Sequence, residues 1–135
     1  MTKSKADLKI VRLPRRKDSG EAGTQKVYFQ WLALAHPYVR SMTFAIPNGG
    51  SRHPVEAASL KAQGVTPGVP DIFCSIPSEL YGGLYIEFKH GQNKLTKLQE
   101  GWIIRLRQAG YCAEVCYSFE EAKDLLLKYL DDCVI

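Results

Sequence analysis

Two apolar stretches constrain this chain more than any other feature: Asp71 to Ile76 (DIFCSI) and Leu84 to Lys89 (LYIEFK). Both read as buried β-strands, yet they carry an aspartate, a glutamate and a lysine. Charge inside a sheet is costly unless it is paired or bound to a metal. Residues two apart on a strand share a face, so Glu87 and Lys89 point one way while Ile86 and Phe88 point the other. The connection from Pro77 to Gly83 suits a hairpin. An antiparallel pair turning near Tyr81-Gly82 brings Asp71 alongside Glu87 and Lys89.

The rest of the chain supplies elements to cover such a hairpin. Apolar residues at three- and four-residue spacing (Val27, Tyr28, Trp31, Leu32, Ala35) predict a first helix capped by Asp18 or Ser19 and ended by His36-Pro37. Val39 to Pro47 reads as a strand with Met42, Phe44 and Ile46 on alternate positions, followed by a Pro47-Asn48-Gly49-Gly50 turn. Pro54 opens a short helix that Gly64 terminates. A helix from about Thr96 to Gln108 is closed by Gly110, Cys112 to Tyr117 forms a strand, and Ser118 with Glu121 has capping-box spacing for a last helix to Leu130. The resulting αβαββαβα order predicts a single-domain α/β fold, a mixed β-sheet flanked by helices.

Two helices turn polar groups toward this interior. On the helix after Lys94, Leu95, Leu98, Trp102, Ile103 and Leu106 share a stripe with Gln99 in its middle. On the first helix the apolar stripe extends back to Gln25 and Glu21. Ordinary explanations exist: Lys89 pairs with a carboxylate, Gln99 satisfies a backbone group, and Glu21 closes a capping box with Asp18. A common site accounts for all of them at once.

Charge and cysteine usage narrow the class. The chain has 135 residues and a formal net charge of +4, and Lys3, Lys5, Lys9, Arg12, Arg15, Arg16 and Lys17 concentrate the excess in an N-terminal arm. Residues 1–17 are expected to be a basic arm able to hold a polyanion through phosphate contacts, and 18–135 the folded domain. Cys74, Cys112, Cys116 and Cys133 include no Cys-x-x-Cys pair and read as small buried apolar residues. No apolar run approaches membrane-spanning length and no secretory signal is visible, so a soluble intracellular protein is expected.

The ordered set Glu21-x-x-x-Gln25, Pro47-Asn48-Gly49, Gly64, Pro67-Gly68-Val69-Pro70-Asp71, Ile86-Glu87-Phe88-Lys89 and Gln99-x-x-Trp102 resembles the virus-type replication-repair nuclease (VRR-NUC) family of the Pro-Asp…(Asp/Glu)-x-Lys nuclease superfamily. The resemblance spans roughly residues 21 to 130. It implies a restriction-endonuclease-like αβββαβ core with its active site where the central strands splay apart. It also implies magnesium or manganese held by Asp71, Glu87 and the backbone carbonyl of Phe88, with Glu21 nearby. Lys89 would be the catalytic lysine and Gln99 a supporting residue. Ala22-Gly23 weakens the helix just after Glu21, and the basic arm lies outside the motif set.

Phosphodiester hydrolysis needs a nucleophile made from water and stabilisation of charge on phosphoryl oxygens, which a hard cation on oxygen ligands supplies. The expected activity is therefore metal-dependent, structure-selective DNA cleavage, with single-domain family members resembling four-way (Holliday) junction resolvases that act as homodimers. Asn48, Arg52, Arg15, Arg16 and Lys17 are candidate DNA contacts. No protein partner is identifiable. The alternatives are a nuclease acting on flaps, nicked or linear DNA, and a binding module whose charged cluster is structural.

Overall fold

The computed structural model describes residues 20–48 and 53–131. Four strands form one mixed sheet in the order β1 (Thr43–Ala45), β2 (Ile72–Cys74), β3 (Leu84–Phe88), β4 (Cys112–Cys116). The first three strands run antiparallel in sequence, with Phe44 opposite Phe73 and Ile72 opposite Ile86. β3 and β4 are parallel. A parallel pair needs a crossover, which helix α4 (Lys97–Gln108) provides.

The strand alternation sorts side chains into two cores. Ile72, Leu84, Ile86 and Phe88 face α1 (Glu21–Ala35) and α5 (Phe119–Asp131), where Tyr28, Trp31, Leu32, Phe119 and Leu126 are buried against them. Tyr85 and Ala113 face α4 and pack with Ile103 and Leu106. The sheet is thus covered on both sides, and β3 is buried along most of its length. Such burial is what makes any charge on β3 demanding.

The helix boundaries follow local chemistry. α4 opens with a full capping box: Gln99 N–H donates to Thr96 Oγ1, and Thr96 N–H donates to Gln99 Oε1. Ser118 Oγ accepts from Glu121 N–H to open α5. α3 (Pro54–Ala62) begins at Pro54, with His53 Nδ1 accepting from Glu56 N–H. Gly64 and Gly110 take the positive φ that lets the chain leave α3 and α4.

Four expectations need correction. The segment from Val39 is not a strand from its start: Pro37–Ser41 forms a short helix, α2, before β1. Proline at N1 both ends one helix and starts the next, so the order is ααβαββαβα. The inward side chain of β1 is Thr43, whose hydroxyl donates to Val39 O at 2.7 Å, while Phe44 is exposed. Leu98, expected on the buried stripe of α4, is also exposed, with its backbone against Gly68. At the start of α1 the N-cap position is Gly20, without a side-chain cap. Asp18 and Ser19 lie outside the described residues, as do Gly49, Gly50 and Cys133; Cys74, Cys112 and Cys116 are buried free thiols.

Candidate active site

The β2–β3 ladder stops at the Ile72–Ile86 pair. One step further, Asp71 and Glu87 stand across from each other, and the Phe88 N–H that faces β2 meets a side chain instead of a backbone carbonyl. It donates to Asp71 Oδ2 at 2.7 Å. On its other edge β3 stays joined to β4, with Lys89 N–H donating to Cys116 O at 2.9 Å. The central strands therefore part at the point where the charges lie.

Asp71 is half-buried and its second oxygen, Oδ1, accepts from Asn48 Nδ2 at 3.1 Å. The Asp71 carbonyl accepts from Ile46 N–H at 2.7 Å, fixing the backbone beyond β1. Burial raises the Asp71 carboxyl above its ordinary range and the Glu21 charge adds to this, while the Phe88 N–H, Lys89 and Asn48 act in the opposite direction.

Glu87 is more extreme, with only 2% of its surface exposed. Its Oε1 accepts from Gln99 Nε2 at 3.0 Å, and its Oε2 is buried with no hydrogen-bond partner among the described residues. Burial first, then the Asp71 charge, pushes its carboxyl up to about 8; Glu21 adds to the rise, while Lys89 and the Asp71 backbone N–H oppose it. Buried carboxylates normally have their lone pairs satisfied. A buried carboxylate oxygen with no partner among the described residues, within reach of the Asp71 charge, is one that a bound cation would satisfy.

Lys89, 8% exposed, shares the face of Glu87. Its charge acts on both Asp71 and Glu87. Glu21, half-buried on the first turn of α1, acts on both as well. Among the described residues no three His, Cys, Asp or Glu side chains stand together as a metal cluster. On Glu87 the Asp71 charge outweighs that of Glu21.

Gln99 serves two ends at once, since the residue that closes the α4 capping box also holds Glu87. Asn48, a candidate DNA contact in the sequence, donates to Asp71; this link across 23 residues has no local sequence signal. Arg15, Arg16, Lys17 and Arg52 lie outside the described residues. Lys94, Lys97 and His90 are exposed, and His36 sits edge-on against Trp31.

The family profile of the VRR-NUC domain matches residues 3–120, a range that takes in most of the basic arm. A solved structure described as a VRR-NUC domain protein superposes with a TM-score of 0.72 at 27% identity, over 85% of this chain and 91% of the other. No curated protein matches the chain.

Proposed function

Because the chain belongs to the VRR-NUC domain family, a family of nucleases, we propose that it is a metal-dependent endonuclease of branched DNA, with the four-way junction as preferred substrate and a homodimer as the cutting form. The observation that carries the metal dependence is the buried, unpartnered Oε2 of Glu87 beside Asp71. The donors are all hard oxygens, which suits magnesium or manganese, and magnesium ordinarily takes one or two carboxylates and keeps several waters. Asp71, Glu87 and the Phe88 carbonyl would hold the ion, with Glu21 completing the negative surroundings. When bound, such an ion lowers the pKa of water and offsets charge on phosphoryl oxygens.

The chain's own residues do the remaining work. Gln99 fixes one oxygen of Glu87 and leaves the other for the ion. Asn48 and the Phe88 N–H hold the Asp71 carboxylate in one orientation, the preorganisation that electrostatic catalysis requires. Lys89, on the same face, orients the attacking water or binds the scissile phosphate. The formal charge of +4 supports a polyanionic substrate. Selection by DNA shape fits a small domain better than reading a long sequence does, and two copies of the site would supply the two cuts that resolving a junction needs.

The test is cleavage of end-labelled four-way junction and matched linear duplex with magnesium, manganese or chelator, by wild type and Lys89→Ala. Paired, metal-dependent nicks on the junction alone, lost in a folded Lys89→Ala protein, are expected. Cutting of flaps, nicked or linear DNA instead retains the nuclease and overturns the junction preference. Binding with no cleavage under either metal overturns the catalytic reading in favour of a binding module.

A further inference from the structure

We propose that a groove between α3 and the Val65–Pro67 turn seats one sugar–phosphate unit of the DNA backbone next to the cleavage centre, with Lys61 holding the phosphate. The choice of DNA as ligand rests on the nuclease reading. The groove encloses about 220 Å³ and is lined by Asn48, Ala57, Lys61, Val65 and Pro67. That is below the roughly 300–1,000 Å³ of pockets for drug-sized ligands, so it suits one unit of a larger molecule.

Helix α3 adds nothing to the interior. None of its residues, Pro54–Ala62, is buried, and none belongs to either core. Its end is nevertheless fixed: Val65 N–H donates to Leu60 O at 3.0 Å and Gly64 N–H to Lys61 O at 3.0 Å, with Gly64 at a φ of 97°. These are the paired bonds of a Schellman turn. Further on, the Gly68 backbone lies against Leu98 of α4, leaving no room for a Cβ. The segment that makes one wall of the groove is thus pinned at both ends. Ala57 and Lys61, on one face of α3, make the other wall.

The lining matches the chemistry of such a unit. Ala57, Val65 and Pro67 are apolar, as the ring carbons of deoxyribose are, and Lys61 is a single cation for a single phosphate. Lys61 is exposed and makes no ion pair among the described residues, and no acidic residue lines the groove. Its place in the last turn of α3 also suits the helix dipole, a structural role that would leave DNA binding untouched.

Position ties the groove to the site. Asn48, which lines the groove, also donates to Asp71 Oδ1 at 3.1 Å. On the other wall, Pro67 leads through Gly68 and Pro70 into Asp71. A strand whose scissile phosphate lies at Asp71 and Glu87 therefore passes Asn48 before a neighbouring phosphate meets Lys61. Such a contact positions the backbone and carries no sequence information.

The test is fluorescence anisotropy of two labelled duplexes of unrelated sequence, in chelator and over a range of salt. The full chain is used as wild type, Lys61→Ala, Lys61→Arg, Ala57→Leu and Lys128→Ala, each checked for folding by circular dichroism. Lys128, exposed on α5, controls for loss of one charge away from the groove. Lys61→Ala is expected to lower the slope of log affinity against log salt by about 1 and to weaken both duplexes alike. Lys61→Arg and Lys128→Ala should keep the wild-type slope. Ala57→Leu, which fills the groove and keeps every charge, should weaken binding severalfold. An unchanged slope in Lys61→Ala, the same fall in Lys128→Ala, or wild-type binding by Ala57→Leu overturns the subsite. The cleavage reading is judged separately: a protein that cuts DNA while its slope ignores Lys61 keeps the nuclease and loses the groove, and a Lys61-dependent slope in a protein that cuts nothing does the reverse.

Discussion

Gln99 donates from Nε2 to Oε1 of Glu87 at 3.0 Å, while its own Oε1 accepts from the N–H of Thr96. The cap of α4 and the buried carboxylate of β3 are therefore one hydrogen-bonded unit. The helix start sets where the glutamate points, and the glutamate's free oxygen defines where a cation would sit.

This coupling separates two variants. Thr96→Ala removes the cap alone and is expected to cost about 0.5–2 kcal/mol of stability with little effect on cleavage. Gln99→Ala removes the cap bond and the Glu87 bond together. It should show a similar loss in urea unfolding, and in addition at least a tenfold fall in cleavage rate. Equal cleavage by the two variants would show that Gln99 acts only through the helix.

The metal-free protein should become less stable as pH rises. Glu87 in the folded state keeps its proton up to about 8, against an ordinary value of 4.5. Between those values the folded state binds more protons than the unfolded state, so stability falls with pH across that window. The contribution is fully present below about 4.5 and is lost as pH rises through about 8. Glu87→Gln, which cannot ionise, should flatten this slope in thermal melts run in chelator from pH 5 to 8.5. An identical slope in the variant would show that Glu87 is not its source.

With Asn48 Nδ2 donating to Asp71 Oδ1 at 3.1 Å, the role proposed for Asn48 is to position that carboxylate. Asn48→Ala should lower the cleavage rate severalfold and leave DNA affinity measured in chelator near wild type. Asn48→Asp should be worse, since it sets a second negative charge beside Asp71. A loss confined to affinity would return Asn48 to the DNA-contact role.

Gly68 sits in the turn that delivers Pro70-Asp71 to the site, with φ of 89°. A Cβ there would stand 2.8 Å from Leu98 Cβ and 2.9 Å from Leu98 backbone carbon. Strain of about 1–3 kcal/mol from the conformation adds to the clash, so Gly68→Ala should lower the urea midpoint and cleavage together. A midpoint within error of wild type would contradict the packing of this turn on α4.

Much of this arrangement was legible because strand and helix periods are short-range signals. Glu87 and Lys89 share a face by the two-residue repeat, and Gln99 falls on the buried stripe of α4 by the 3.6-residue repeat. The αβαββαβα order read from the same patterns lacks only α2, and it contains the αβββαβ core that the family resemblance implies. What escaped depended on tertiary return or on ambiguous punctuation. The Asn48–Asp71 bond joins residues whose proximity no local pattern encodes. Helix α2 hides behind Pro37, which reads equally as a stop and a start. Phe44 alternates with Met42 and Ile46 as a buried strand residue would, but β1 is an edge strand, so its outward ring remains open.

The most direct test of the central claim is calorimetric titration of manganese into the wild-type protein and into Glu87→Gln at pH 8, both first stripped with chelator. Binding by the wild type, weakened at least tenfold in the folded variant, is the result the site predicts. Equal manganese affinity in the two proteins would contradict a cation held by the unpartnered oxygen of Glu87.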